Sequence, residues 1–149
     1  MLYFFRNSTS VFAPVLVFAL LATLVGCGES LPPRYKTRGK VVYKGSKQPF
    51  TQGMVYFEST KPPYHRAMAI LNDKGEFELS TWRENEGALE GEHRVLISAG
   101  ELAMTPAFGE WLKKIDKKYL DYGTSGIKVT VQPKHDNDIV IEITKPGEK

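Results

Sequence analysis

Apolar and polar residues alternate through much of the chain after Thr37, which is typical of β-strands with one packed face and one wet face. Isoleucine or valine occupies every odd position of residues 127–131, and isoleucine every odd position of residues 139–143. Turn residues separate such runs at roughly 10–15-residue intervals. The pattern predicts seven strands: Arg38–Lys44, Gly53–Glu58, Arg66–Leu71, Glu76–Ser80, Glu92–Ser98, Gly126–Gln132 and Asp138–Thr144.

The turns between these runs contain the residues that tight turns require. The turn at 71–76 reads Leu-Asn-Asp-Lys-Gly-Glu, in which Asn and Asp bond the local backbone and Gly accepts a positive φ. A second turn lies at 44–49, and Pro62 and Pro63 interrupt the chain before the third strand. Because a single sheet of this size would leave an apolar face wet, we predict an all-β sandwich of two packed sheets.

One segment has the period of an amphipathic helix. Thr105 suits the N-cap position, and Pro106 suits the first helical position. Apolar side chains then recur at i, i+3, i+4, i+7 and i+11: Phe108, Trp111, Leu112, Ile115 and Tyr119. We predict a helix of about three turns over Pro106–Leu120. It either covers an open end or edge of the sandwich, or presents its four lysines to a partner or to lipid headgroups.

The first 26 residues have the composition of an export signal. They carry one charge, on Arg6, and the apolar run Val11–Val25. The 15-residue length of this run is that of a signal-peptide core, whereas a membrane span needs about 20 residues. We therefore predict a signal peptide over residues 1–26. A permanent anchor helix, extended by residues 2–5, is the alternative.

The cleavage region Leu24-Val25-Gly26-Cys27 resembles the lipobox of bacterial lipoproteins. In that motif an aliphatic residue stands three positions before the cysteine, and a small residue stands directly before it. The resemblance implies that the Cys27 thiol is alkylated with diacylglycerol and that a peptidase cuts between Gly26 and Cys27. Cys27 is the single cysteine of the chain, which excludes an intramolecular disulfide. A buried structural cysteine is the alternative.

Residues 27–36 are predicted to form a tether. Two prolines stiffen it, and its ten residues reach at most about 33 Å. The folded part at residues 37–145, with a tail at 146–149, is therefore expected close to a bilayer, in the cell envelope and outside the cytoplasm. The tether sequence does not distinguish the inner from the outer membrane.

Five stretches of the folded part resemble carboxypeptidase regulatory-like domains and a group of short bacterial lipoproteins built on that module. The stretches are 39–45 (GKVVYKG), 53–57 (GMVYF), 72–79 (NDKGEFEL), 90–95 (EGEHRV) and 118–127 (KYLDYGTSGI). The resemblance implies a transthyretin-like (prealbumin-like) seven-stranded sandwich with Greek-key pairing. Glu90, where Pro-Gly is common, and Asp116, where Ile-Pro often precedes Lys-Tyr, depart from the pattern and affect the local loops.

Composition is that of an ordinary globular protein, with 42% apolar and 25% charged residues. Lysine and arginine number 20 against 17 acidic residues, which gives a net charge of +3. Removal of the signal peptide with its one arginine leaves 19 basic residues against 17, a net charge of +2. This charge is too small for the concentrated basic face of a nucleic-acid-binding protein, so no nucleic-acid partner is expected.

Residues suited to catalysis or metal binding do not fall into a recognised pattern. Only His135–Asp138 has ligand-like spacing, and such residues beside a strand start usually bond their own backbone. Ser125 lies in Gly-Thr-Ser-Gly before a strand, unlike the nucleophile elbow, which precedes a helix. The transthyretin-like hydroxyisourate hydrolases end in Tyr-Arg-Gly-Ser, whereas this chain ends in Lys-Pro-Gly-Glu-Lys. We expect no catalytic residue, no metal and no cofactor.

Two clusters are candidates for a binding surface. Trp82 and Arg83, in the loop 81–90, have the chemistry to stack on a sugar or a peptide, although a tryptophan there also serves to plug a sandwich end. Tyr64, His65 and Arg66, after the two prolines, form the second cluster.

The sequence as a whole favours a lipid-anchored binding or structural module of the cell envelope, held to the membrane through Cys27. Its expected partner is an envelope protein or a glycan. An accessory subunit that docks an envelope enzyme or transporter is the alternative, and an unrecognised hydrolase is the third interpretation.

Overall fold

The computed structural model describes residues 31–148, in which six strands, a helical segment and two further strands follow one another. The strands are β1 Arg34–Tyr43, β2 Met54–Ser59, β3 Arg66–Ile70, β4 Glu76–Glu78, β5 Ala88–Leu89, β6 Gly91–Ser98, β7 Lys128–Val131 and β8 Asp136–Ile143. The predicted signal peptide, its cleavage site and the lipid-attachment residue Cys27 lie outside the described residues.

The first sheet is built around β1. This strand pairs in parallel with β8, from Lys36 opposite Asp136 to Tyr43 opposite Ile143. It also pairs antiparallel with β4 and with β5. Parallel strands need a crossover connection, because a tight turn reverses the chain direction. The chain between β1 and β8 supplies this connection by forming the second sheet.

The second sheet is antiparallel, in the order β3-β2-β6-β7. Its register places Phe57 on β2 opposite Ala67 on β3 and Val95 on β6. These three side chains are fully or almost fully buried, and they lie at odd positions. Even positions of the same strands therefore point away from the core, because side chains alternate along a strand.

Side chains from the facing sides of the two sheets form one hydrophobic core. The largest fully buried members are Trp111, Phe57, Leu79, Ile97, Ile115, Ile141 and Ile143. Phe57 of the second sheet meets Phe77 of the first, with ring centroids 5.8 Å apart. The prediction of a mostly β protein with two packed sheets is confirmed.

The two sheets are joined along one side by a bridge between Met68 and Ser80. The Met68 amide donates to the Ser80 carbonyl at 2.9 Å, and the Ser80 amide donates to the Met68 carbonyl at 2.9 Å. We call the place where this bridge joins the two sheets the corner. At the corner the outward face of β3 continues into the outward face of the chain after β4.

The seven predicted strands each overlap a strand of the structure, and the two-residue β5 is an addition. The strand β1 begins at Arg34 and so includes residues 34–36 of the predicted tether. Arg34 pairs with Leu89, and Tyr35 pairs with Ala88. These partners come from a loop that has no strand pattern of its own, so no pattern in the chain indicated the pairing.

The predicted single helix over Pro106–Leu120 is wrong. The helical segment, residues 100–120, consists of a 3₁₀ helix at Gly100–Met104, the short α-helix α1 at Phe108–Leu112, and a 3₁₀ helix at Lys117–Leu120. Thr105 does not cap α1; it ends the first 3₁₀ helix, and its hydroxyl donates to the Leu102 carbonyl at 2.9 Å.

Asp116 explains why the helix does not continue. Its backbone is extended, with ψ 131°, and its carboxylate accepts the Lys118 amide at 3.0 Å. Aspartate favours such local bonds over helix interiors. The α-helix therefore does not extend through this segment. A separate 3₁₀ helix begins at Lys117, with Asp116 as its N-cap.

The apolar residues predicted for the helix stripe nevertheless pack into the core. Trp111 is 1% exposed and Ile115 is fully buried. The Trp111 indole donates to the Gln52 carbonyl at 3.0 Å, and its ring lies 6.0 Å from that of Phe50. The Tyr119 hydroxyl lies 3.2 Å from that of Thr144, at the end of β8. This burial favours the interpretation that the segment covers an end of the sandwich.

Across residues 31–148, no helix is both long enough and apolar enough to cross a membrane.

Replacement of Trp111 or Ile115 by Ala should lower the free energy of unfolding by about 2–5 kcal/mol, because each change removes buried contacts and leaves a cavity. Met104→Ala is the control: Met104 belongs to the same segment but is 96% exposed, so its loss should cost less than about 0.5 kcal/mol. Chemical denaturation measures all three. Equal midpoints for Trp111→Ala, Ile115→Ala and the control would contradict the core-covering role.

Candidate functional site

Trp82 lies in the loop after β4 and is 40% exposed. The guanidinium carbon of Arg34 lies 4.8 Å above the centre of its ring, and the His65 ring meets it edge-on at 4.9 Å. The neighbouring Tyr64 is 54% exposed. The structure therefore brings Trp82 close to the segment of Tyr64 and His65, at the end of the sandwich where β1 begins. We call this the tether end.

The loop that carries Trp82 is fastened to β1. Gly87 has a φ of +88°, and a Cβ on it would lie 1.9 Å from the Tyr35 carbonyl oxygen, so only glycine fits. The Thr81 hydroxyl donates to the Gly87 carbonyl at 2.6 Å. An ion pair between Arg34 and Glu86 closes the loop from the other side. Trp82 is thus held in place, while Arg83 beside it is exposed.

Arg66 does not join the Trp82 cluster. Successive residues of a strand point to opposite sides, so His65 turns toward Trp82 while Arg66 lies on the outward face of the second sheet. There Glu58 stands opposite Arg66 on one neighbouring strand and opposite Arg94 on the other. We call this the arginine row.

Glu58 is the centre of the arginine row, with a side chain only 6% exposed. Arg66 Nε donates to one carboxylate oxygen at 2.8 Å, and Arg94 Nε donates to the other at 2.8 Å. Burial alone would raise the pKa of Glu58, but the hydrogen bonds from both arginines outweigh it and leave the pKa below its ordinary value.

Tyr122 covers the arginine row. Its ring centre lies 5.2 Å from the Arg94 guanidinium carbon and 5.8 Å from that of Arg66, within the range of cation–π attraction. Burial, and after it the charge of Glu58, raises the pKa of Tyr122 to about 12. The row is a satisfied unit in which one buried carboxylate is shared by two partly exposed arginines beside the Tyr122 ring.

A groove of about 910 Å³ runs along the corner where the two sheets meet. Three of the apolar side chains that line it are strongly exposed: Ile70 at 73%, Val140 at 57% and Met68 at 48%. Its charged lining is mostly acidic, with four carboxylates and two basic groups: Glu76, Glu78, Glu84, Asp138, Arg38 and Lys40. The groove therefore combines exposed apolar side chains with a mostly acidic charged lining.

Two stretches of the sequence indicate this groove, because their apolar residues do not alternate with polar ones. Residues 54–57 and 67–70 are unbroken apolar runs, Met-Val-Tyr-Phe and Ala-Met-Ala-Ile. An unbroken run in a strand places apolar groups on both faces. One face of β2 and β3 fills the core, and the other supplies Met54, Met68 and Ile70 to the groove.

The three histidines occupy separate environments. His93 is 1% exposed, its Nδ1 lies 3.0 Å from the Gly91 carbonyl, and burial lowers its pKa. His65 packs on Trp82, and His135 is exposed beside Asp136. Within residues 31–148, no three His, Cys, Asp or Glu side chains are grouped so as to hold a metal ion.

The remaining polar candidates have structural partners. Asn137, from the stretch with ligand-like spacing, accepts the Gln132 amide at 2.9 Å and donates to the Gln132 carbonyl at 3.0 Å. Its side chain therefore closes the turn between β7 and β8. Ser125 is 5% exposed, and its hydroxyl donates to the Val95 carbonyl at 2.5 Å.

No family model matches the chain, and no curated protein matches it. Among solved structures, it is similar to a DUF3823 family protein from Parabacteroides merdae at 15% identity and a TM-score of 0.45, covering 77% of this chain and 48% of that one. It is also similar to a 9R-lipoxygenase from Cyanothece at 11% identity and a TM-score of 0.39, covering 92% of this chain and 21% of that one. The chain spans about half of the first protein and about a fifth of the second, and likeness at this level carries no argument about function.

Glu58→Gln should lower the free energy of unfolding by about 1–3 kcal/mol near neutral pH, because charge-assisted hydrogen bonds to two arginines are lost. The pKa of Glu58 lies below its ordinary value of 4.5, so the contribution is full above that pH and is lost as the pH falls through the folded-state pKa. Chemical denaturation of the wild type and of Glu58→Gln, from neutral to acidic pH, measures both free energies of unfolding. The difference between the two should shrink in acid.

The matched control for this prediction is Glu92→Gln. Glu92 is an outward-facing carboxylate on the same sheet, paired with Lys128 but 44% exposed. An exposed pair contributes little, so this change should cost less than about 1 kcal/mol. Equal losses for the two variants would contradict the special role of Glu58.

Proposed function

We propose that this chain is a lipid-anchored protein of the cell envelope whose β-sandwich acts as a binding module without catalytic activity of its own. The lipobox-like run before Cys27 supports the anchor. The compact unit begins at Pro32, five residues after Cys27, so a folded module follows the proposed lipid site almost directly. The observation that carries the binding role is the exposed apolar groove at the corner.

The sandwich is proposed to be of the carboxypeptidase regulatory-like, transthyretin-like kind with Greek-key pairing. The chain changes sheet after β1, β3, β5 and β7, and its first and last strands are neighbours. Repeated changes of sheet, together with the pairing of the first and last strands, support a Greek-key topology over a simple up-and-down meander. In larger proteins this module usually accompanies catalytic or transport domains.

The chemistry of the groove favours a protein partner. Monomeric proteins seldom expose contiguous aliphatic surface, and patches rimmed by polar groups commonly mark docking sites. Methionine at such sites adapts to irregular partner surfaces. The mostly acidic charged lining suits a segment that carries apolar side chains flanked by lysine or arginine. These features support the accessory-subunit alternative, in which the sandwich docks an envelope enzyme or transporter.

A glycan partner and a hydrolytic activity have less support. Sugars stack on free aromatic faces, whereas Arg34 covers one face of Trp82. A serine hydrolase needs a base within hydrogen-bond reach of its nucleophile. The Ser125 hydroxyl instead bonds the backbone of β6, and the three histidines belong to separate parts of the molecule.

Cys27→Ser should abolish lipid attachment, because a serine hydroxyl does not form the thioether. In cells supplied with labelled palmitate, the variant should carry no label and should keep its signal peptide, which mass spectrometry of the N-terminus detects. Ser30→Ala, a nearby change that leaves the thiol in place, is the control and should be labelled normally. A labelled and cleaved Cys27→Ser protein would refute the anchor.

A photo-crosslinking residue at position 70 should give a discrete adduct with one envelope protein, because Ile70 is the most exposed apolar side chain in the groove. Met68→Lys, which places a cation among these apolar side chains, should lower the yield at least about tenfold, the effect of 1.4 kcal/mol. The same crosslinker at Met104 is the control and should give no such adduct. Equal patterns at both positions would argue against the groove.

A further inference from the structure

The strand β1 separates two ends of the sandwich. It begins at Arg34, at the tether end, and finishes at Tyr43. The Tyr43 hydroxyl donates to the Lys114 carbonyl at 2.9 Å, so the helical segment lies at the other end, which we call the far end. Ten residues at about 3.3 Å each place the two ends about 30 Å apart.

This arrangement bears on which end meets a membrane. Cys27 stands seven residues before Arg34, a span of at most about 25 Å. A lipid on Cys27 therefore holds the tether end close to the bilayer. The lysines of the helical segment belong to the far end, where they are separated from the anchor by the length of β1. Their contact with lipid headgroups, one alternative from the sequence, is disfavoured by this geometry.

The tether end has the side chains found where proteins meet a membrane interface. Trp82 and Tyr64 project there with 40% and 54% exposure. Tryptophan and tyrosine are enriched at headgroup depth, because the ring is apolar while the indole N–H or the hydroxyl remains hydrated. Both residues sit in short loops held by the rest of the sandwich, so neither has to be ordered on contact with lipid.

Charge at the tether end is balanced. The loop 132–135 also lies at this end, because Asp136 at the start of β8 stands opposite Lys36 on β1. With Arg34 and Asp136, the loops 60–65, 81–90 and 132–135 contain four basic residues against four acidic ones. Attraction to anionic lipid is therefore not the driving force. The aromatic rings supply it, and contact is expected with neutral and anionic phospholipids alike.

We propose that Trp82 and Tyr64 form a second membrane contact beside the lipid anchor, with a phospholipid bilayer surface as their partner. The inference rests on the proposed attachment of lipid to Cys27. Together the anchor and the two aromatic residues orient the sandwich with the tether end on the bilayer. The far end and its lysines then face the aqueous compartment.

Tryptophan fluorescence tests this contact, because Trp82 and Trp111 are the two tryptophans of the chain. The lipidated full-length protein is placed in vesicles of neutral phospholipid with or without brominated acyl chains, which quench indoles at short range. We expect quenching of wild-type emission by brominated lipid. In Trp82→Phe only the buried Trp111 at the far end remains, and quenching should disappear. Quenching equal in both proteins, or absent from the wild type, would overturn the proposal.

A matched variant tests the orientation. Met104 is 96% exposed and belongs to the helical segment, so Met104→Trp in the Trp82→Phe background reports on the far end. Its emission should be unaffected by brominated lipid, in neutral vesicles and in vesicles containing phosphatidylglycerol. Quenching of this variant as strong as that of the wild type would overturn the proposal, because the far end would then contact the membrane.

Palmitate label on Cys27, measured in the same preparations, separates this inference from the proposed function. Absence of label defeats the lipid anchor and the second contact together. Label without Trp82 quenching defeats the second contact alone and leaves the lipid-anchored binding module standing.

Discussion

The parallel pairing of β1 with β8 is the constraint on which the rest of the fold depends. It joins residues about a hundred positions apart, so the loop-closure entropy of almost the whole described chain is lost when it forms. Every other element lies within that closed loop. Hydrophobic packing stabilises this pairing: on the inward face of β8, Ile141 and Ile143 are buried in the core and Ile139 packs against it.

The pattern of the sequence predicted the strands because a strand buried on one face needs an apolar residue at every second position. It did not predict that residues 100–120 divide into three short helical turns, because periodicity reports which residues are buried and not the backbone conformation that places them there. Trp111, Ile115 and Tyr119 are buried as their spacing indicates. Asp116 interrupts the segment because its carboxylate bonds the nearby Lys118 amide. The 3.6-residue period of the apolar positions does not show whether such a local bond replaces a continuous helix.

The candidate surfaces show the same division. Trp82, Tyr64 and Arg66 could be chosen from residue type, but which of them come together is decided by strand alternation and by loops that close across the chain. His65 links Tyr64 to Trp82, while Arg66, one position later, belongs to the opposite side with Glu58. Glu58 was not identified, because its importance comes from arginines on two neighbouring strands. That arrangement exists only after the second sheet has formed.

The corner between Met68 and Ser80 also determines which strands form the open edges of the sandwich. By joining the sheets on one side, it leaves β7 and β8 as outer strands, each paired along one edge with β6 or β1. Exposed charged residues stand on both: Lys128 on β7, and Asp138 and Glu142 on β8. Such charges oppose strand addition. With the lipid anchor proposed above, copies of the chain would meet on the membrane at high local concentration, and these charges would oppose the growth of continuous sheets between them.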